Sequence, residues 1–319
     1  MQYDKPYYGA HMSIKKGIPS AIKEINELGG NLIQVFVSNP MSTKFTINQT
    51  TWNEKNCNLI KSTLTSTDSK IVIHLPYVIN LAKPLPIPSK MNDCWWINMI
   101  CNQLLISDLI GSIGCVVHVG KHLELTVSDA TDNMFEGLKY VIKFIKEHKL
   151  KSYIILETAA GQGSELLTTK NSSLEDFSDF YKRFTDDEKS RIKICVDTCH
   201  IFAAGYDIRQ KSQVKTFFDE FNTQIGIENI ALIHLNDSKK ECGSCVDRHE
   251  NLGEGKIGIE GLRHFIRYAI YYHIPTILET PSNYESELQL INDVKKGVKK
   301  WSENIKNNKN HNKINDNLA

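Results

Sequence analysis

The chain has 319 residues, enough for one large domain or two ordinary ones, and 41% of it is apolar, which allows a sizeable core. A formal net charge of +1 excludes a global field drawing it to nucleic acid or membrane, so attraction to a polyanion must come from local charge. The first residues lack the apolar run of a secretory signal, the most apolar window (104–119) is broken by Ser107, Asp108, Ser112 and His118, and eight cysteines in so long a chain are not the framework of a small secreted domain.

These features predict an intracellular protein with reduced thiols and no membrane span. In chain order, Tyr8-Gly9-Ala10-His11 reads as a short first strand and Leu32-Ile33-Gln34-Val35-Phe36-Val37 as a second. Between them Ile18, Ile22, Ile25 and Leu28 form one helical stripe. Six short apolar runs follow, each stopped by a ligand-type side chain: Ile71-Val72-Ile73-His74, Cys115-Val116-Val117-His118, Ile154-Ile155-Leu156-Glu157, Ile194-Cys195-Val196-Asp197, Leu232-Ile233-His234 and Ile277-Leu278-Glu279. The stops are 44, 39, 40, 37 and 45 residues apart. A strand, a helix and two loops take about 30–40 residues in a barrel of eight such units, and strands buried on both faces read as continuous apolar runs. Helical spacing recurs between the runs at Phe135, Leu138, Ile142 and Ile145, and over 175–184, 214–221 and 262–271. The expectation is an α/β protein, a (β/α)8 TIM barrel over residues 1–301, with its chemistry at the C-terminal ends of the strands. The Asn- and Lys-rich stretch 302–319 predicts a disordered tail in which His311 is merely solvated.

One His or Glu after a strand is more often a hydrogen-bonded structural residue than a ligand. Six such residues at six consecutive strand ends are different, because they converge on one axis and buried charges need partners or metal. Asp197-Thr198-Cys199-His200 and Asp247-Arg248-His249 add further ligand types, and the extended spacing of Asp247 and His249 turns both to one face. The candidate set is His74, His118, Glu157, Asp197, His200, His234, Asp247, His249 and Glu279. Five His and four carboxylates are too many for one tetrahedral ion and suit two or three, zinc or, where oxygens dominate, manganese. Four carboxylates against three divalent ions leave a charge of about +2, which attracts a phosphodiester, and clustered metals lower the pKa of bound water.

Gly253-Glu254-Gly255-Lys256-Ile257-Gly258 matches a dinucleotide-binding pattern, yet no apolar strand leads into it, so a tight loop is expected. Cys242 and Cys245 form a C-x-x-C pair with no second pair after it, which reads as a reduced loop ahead of a disulfide, a redox motif or a zinc knuckle, and Cys195 and Cys199 read as packing near the site. His11 and His122 are either outer donors to the ligands or to phosphate, or structural, and His148, His264 and His273 read as surface residues of helices.

Four stretches carry a family resemblance: 196–207 (Val196-Asp197-Thr198-Cys199-His200 onward), 234–239 with 246–255, 157–164 (Glu157-Thr158-Ala159-Ala160-Gly161-Gln162-Gly163-Ser164) and 74–81 (His74-Leu75-Pro76-Tyr77-Val78-Ile79-Asn80-Leu81). In this order and length they resemble the signatures of the endonuclease IV family of apurinic/apyrimidinic endonucleases. The resemblance implies three zinc ions, with manganese an alternative at one site. Double-stranded DNA with abasic sites or blocked 3′ ends would be the substrate, cut 5′ to the lesion to leave a 3′-hydroxyl and a 5′-deoxyribose phosphate. It implies one zinc on His74, His118 and Glu157, a second on Glu157, Asp197, His234 and Glu279, and a third on His200, Asp247 and His249. A hydroxide between the first two ions would attack phosphorus, with Glu157 and Glu279 the catalytic carboxylates. Tyr77 and Val78 would wedge into the minor groove, and Lys121 and Arg248, with Lys15, Lys16 and Lys239, would meet phosphates. The family's Arg in the penetrating loop is replaced by Met41, and Phe45 stands in for its aromatic. A monomer is implied.

A divalent-metal sugar isomerase or epimerase on the same barrel accounts for Glu157, Asp197, His234 and Glu279 but leaves His200, Asp247 and His249 unused. A noncatalytic damage-binding protein leaves the whole ligand set unused. Metal stoichiometry separates the first from the nuclease, and strand incision the second.

Overall fold

The computed structural model describes residues 3–168 and 174–307. Its strands are β1 (Tyr8–His11), β2 (Leu32–Val35), β3 (Lys70–His74), β4 (Gly114–His118), β5 (Tyr153–Glu157), β6 (Ile192–Asp197), β7 (Ile230–Leu235), β8 (Asp237–Ser238), β9 (His249–Glu250) and β10 (Thr276–Leu278). All but β8 and β9 close into a barrel of eight parallel strands, in the order β1-β10-β7-β6-β5-β4-β3-β2. The helices are α1 (Ile18–Glu27), α2 (Glu54–Ser66), α3 (Trp95–Ile110), α4 (Val127–Glu147), α5 (Glu175–Lys182), α6 (Asp186–Lys189), α7 (Thr198–Ala204), α8 (Lys211–Gln224), α9 (Gly258–Tyr271) and α10 (Tyr284–Asn307). The expected TIM barrel is the fold observed.

Two hydrophobic layers follow from strand alternation. One face of each strand packs with the helices in the main core, as Ile33, Ile71, Ile73, Val117, Ile154 and Ile194 do. The other face fills the barrel with a second cluster that includes Leu32, Val72, Val116, Ile155, Cys195, Leu232 and Ile277. Side chains two residues on share a face. Counting two forward from these seven gives Gln34, His74, His118, Glu157, Asp197, His234 and Glu279. The apolar plug is therefore the floor of the site, and the next inward layer toward the C-terminal mouth is polar.

Closure leaves no room at Gly9. A Cβ there would lie 1.6 Å from the Leu32 carbonyl oxygen, across the β1–β2 pairing. Backbone cannot yield as a flexible side chain does, so Gly9→Ala is expected to cost about 3 kcal/mol. Thermal or denaturant unfolding checks this; an unchanged midpoint would contradict it.

Several boundaries differ from the sequence reading. Strand β2 ends at Val35 rather than Val37, and Glu279 stands one residue past β10. Helix α10 continues through Asn307, so residues 302–307, expected in the tail, have helical backbone; residues 308–319, with His311, lie outside the described residues. No helix among the described residues is long and apolar enough to cross a membrane.

Candidate metal centre

All nine predicted ligands meet at the barrel mouth. Glu157, at the end of β5 and almost wholly buried, is the hub. Its Oε2 lies 3.4 Å from His74 Nε2 and 3.3 Å from His118 Nε2, and its Oε1 lies 2.9 Å from His234 Nδ1 and 3.5 Å from His200 Nδ1. His234 Nδ1 is also 3.2 Å from Glu279 Oε2 and 3.8 Å from Asp197 Oδ2. On the far side, Asp247 reaches His200 Nε2 at 3.3 Å and His249 Nε2 at 3.2 Å, and Asp197 Oδ2 lies 3.6 Å from His249 Nε2. Seven of the nine, with Tyr77 and Arg248, line a cavity of about 370 Å³.

The backbone aims these groups. Asp197 caps α7, its Oδ1 accepting the His200 N–H at 2.9 Å, and this turns Oδ2 to the site, where Asn236 Nδ2 donates to it at 2.8 Å. Three imidazoles sit against carbonyls through Nδ1: His74 with Leu75 at 2.7 Å, His200 with Thr158 at 2.8 Å and His249 with Glu279 at 3.2 Å. Donation there keeps a proton on Nδ1 and turns Nε2 toward the carboxylates, the nitrogen a metal would take. His234 is reversed: its Nε2 meets Gln34 Oε1 at 2.8 Å, which frees Nδ1. Gln34 Nε2 donates to Glu279 Oε1 at 2.5 Å and lies 3.1 Å from His11 Nδ1. His11 is 3.4 Å from Glu279, which makes it an outer partner, whereas His122 Nδ1 meets the Leu125 carbonyl within its own loop.

The electrostatics describe a site built for cations. Burial pushes the Glu157 carboxyl up, but His118, His234 and His74 hold it well below the usual carboxylate range. Burial likewise opposes charge on Glu279 and Asp247, and the surrounding imidazoles still hold both low. Burial lowers His200 and His234, but Asp197 beside the first and Cys195, Glu279 and Glu157 around the second raise them well above the ordinary value. Burial also lowers His249, and against it Asp197 and Asp247 raise this imidazole to about 9.

Among the described residues, buried side-chain atoms without a hydrogen-bond partner include Glu157 Oε2, His200 Nε2 and His249 Nε2. Such atoms are rare, and three in one pocket fit cations. Ligand atoms within 4.8 Å of one another form a group of His74, His118 and Glu157, one of Glu157, Asp197, His234 and Glu279, and one of Asp197, His200 and His249. Asp197 thus reaches into the third group as well as the second. Cys195 and Cys199 border two further groups; burial pushes both thiols up to about 12, consistent with packing as neutral groups.

The Gly-rich loop is a tight loop, and Asp237 explains it. This fully buried carboxylate accepts backbone N–H groups from Ser238, Gly253, Gly255, Ile257 and Gly258 at 2.7 to 3.4 Å. The anion cradle of the pattern is filled by the protein's own side chain. Asp237 also begins the β8–β9 ribbon that carries His249.

Tyr77 is 52% exposed, with its ring 5.7 Å from that of His118; Val78 is half-buried and Met41 is 71% exposed. Lys121 pairs with Glu165 at 3.4 Å, Arg248 is exposed at the cavity rim, Lys15 and Lys16 are exposed, and Lys239 pairs with Glu250 at 3.8 Å. Phe45 does not stand free as a wedge; it packs against the core. His264, expected at the surface, is buried beside Arg267, 2.8 Å away. His148 is exposed and His273 half-buried. All eight cysteines are free. Four further residues support the site without any sequence signal of a ligand: Gln34, Asn236, Asp237 and Gln162, whose Oε1 accepts the Asp247 N–H at 3.0 Å.

The family pattern that matches the chain is the xylose isomerase-like TIM barrel, over residues 22–305. A protein of Acanthamoeba polyphaga mimivirus bearing an endonuclease 4 name is 35% identical over 302 residues, 92% of each chain. One of Thermosipho africanus with the same kind of name is 32% identical over 296 residues, 90% of this chain and 97% of that one. The chain belongs to the endonuclease IV family. Endonuclease IV from Thermus thermophilus shares the fold at a TM-score of 0.70 and 25% identity, over 92% of this chain and 99% of that one. A D-tagatose 3-epimerase-like protein aligns at a TM-score of 0.63 but 19% identity, a likeness of fold alone. Membership in the endonuclease IV family makes the chain an apurinic/apyrimidinic endonuclease, and its His- and carboxylate-lined mouth a metal-binding one.

Proposed function

We propose that the chain repairs duplex DNA by hydrolysing the phosphodiester 5′ to an abasic site, leaving a 3′-hydroxyl and a 5′-deoxyribose phosphate, and that it clears blocked 3′ ends. The observation that carries this reading is the convergence of five imidazoles and four carboxylates at the barrel mouth, seven of them lining one cavity, with three ligand atoms left without a hydrogen-bond partner. His74, His118 and Glu157 would hold one zinc; Glu157, Asp197, His234 and Glu279 a second; His200, Asp247 and His249 a third, with manganese an alternative at one site. Bound there, the metals supply a nucleophile near neutral pH and stabilise charge on the leaving oxygen.

The remaining work falls to the chain. Glu157 belongs to both of the first two groups and would orient the attacking water, and Glu279 is held in place by Gln34 and His11. Tyr77, Val78 and Met41 supply apolar surface against the gap left by the missing base, where extrusion is least costly. Lys121 and Arg248 meet the flanking phosphates. Met41 places a thioether where the family pattern carries an Arg, so lesion binding loses a charged contact. The enzyme works as a monomer.

The test is incision of a duplex carrying one abasic analogue. A nick on its 5′ side, abolished by chelation, is expected; an intact strand with metal-loaded protein would sink the proposal. A sugar epimerase role gains nothing from His200, Asp247 and His249, which the fold brings to the same mouth.

A further inference from the structure

We infer that Leu123 is a DNA-contacting residue, an apolar extension of the lesion-binding surface beyond Tyr77 and Met41. The inference rests on the proposed action on DNA and assigns to it a residue that no motif pointed to. Leu123 follows β4, five residues beyond His118. Its side chain is 56% exposed and its backbone is left-handed, with φ 51°. A branched side chain is disfavoured in that conformation, and Gly or Asn fits it better. The leucine thus carries two costs in the free protein, apolar exposure and backbone strain, and a surface it binds recovers the first.

The loop is held in place. The Ser164 carbonyl accepts the His122 N–H at 2.8 Å, and Ser164 Oγ accepts the Leu123 N–H at 3.2 Å. Asn80 brackets Lys121, accepting its N–H at 2.8 Å and donating to its carbonyl at 2.9 Å, and Asn80 lies three residues past Tyr77. Leu123 is therefore tied to the loop that carries Tyr77, whose ring meets that of His118. Of the large apolar side chains exposed among the described residues, Met41, Tyr77, Ile87 and Leu123 lie in the segments that follow the C-terminal ends of β2, β3 and β4, and Val127 begins α4. Apolar side chains exposed in the segments after these strands, with Tyr77 lining the cavity itself, fit the sugar and base edges of a duplex whose stacking is already interrupted.

The experiment uses the full-length, metal-loaded enzyme. Leu123→Asn relieves the backbone and removes the apolar contact, and Leu123→Ala removes the contact alone. Binding to a duplex with one abasic analogue is measured beside thermal unfolding and beside incision by the unaltered protein. The expected result is that Leu123→Asn keeps or raises Tm while Kd for the duplex rises at least about tenfold, as loss of one buried leucine side chain would give, and that Leu123→Ala weakens binding equally. Unchanged Kd in both variants overturns the inference. Failure of the unaltered protein to incise would instead overturn the proposed function, so the two failures are distinguishable.

Discussion

Glu157→Gln is expected to stay folded and to lose incision far beyond the about 10–100-fold that partners outside the ligand set cost. The amide keeps the size of the carboxylate, and the barrel around it is made by eight strands and two apolar layers that do not depend on its charge. What vanishes is the negative charge shared by four imidazoles within 3.5 Å. An amide nitrogen on either side also faces a lone pair it can only occupy, not share with a cation. Gln34→Ala removes a partner of His234 and Glu279 without touching the ligand set, so its loss of turnover is expected within that smaller range. Steady-state incision with circular dichroism checks both; turnover retained by Glu157→Gln would show that the hub carboxylate is dispensable.

Asp237→Asn is expected to be the most damaging change outside the ligand set. Asp237 Oδ2 accepts the N–H groups of Gly253, Gly255 and Gly258, and Oδ1 those of Ser238 and Ile257. Asn must turn an N–H₂ toward one of these groups of donors. Two buried N–H groups or three half-buried ones then lose their acceptor, and hydrogen bonds to a charged group are worth about 1.5–3 kcal/mol each, so a loss of about 3 kcal/mol or more is expected. Gly255 cannot compensate, because even a Cβ there would lie 2.5 Å from Asp237 Oδ1. The damage should spread to the β8–β9 ribbon and the start of α9. Thermal unfolding with hydrogen exchange over residues 237–258 measures it, and unaltered protection there would contradict it.

Much of the fold and the site is legible in the residues alone, for a physical reason. Each inner strand is buried on both faces, so its apolar run is continuous, and the first polar residue marks where the barrel opens to water. That is why His74, His118, Glu157, Asp197, His234 and Glu279 announce themselves. Gln34 occupies the same inward layer but is an amide, outside any list of metal ligands, so a search for ligands passes over it; strand alternation from Leu32 points to it. Helix α3 gives no stripe, since its less buried face carries Trp95, Leu105 and Leu109 and so is nearly as apolar as the face in the core. The ribbon holding His249 is two residues per strand, too short for a periodic signal, so the residues that fix it, Asp237 and Gln162, emerge only from tertiary contacts. His264 misleads because its helix buries it beside Arg267 rather than presenting it to solvent.

The most direct test of a polynuclear metal nuclease is elemental analysis of the purified full-length protein, coupled to incision of a duplex bearing one abasic analogue. The account predicts three divalent ions per chain and a single nick 5′ to the lesion, lost on chelation and restored by zinc. Protein that binds one ion or none, or that leaves the damaged strand whole when fully loaded, would contradict it.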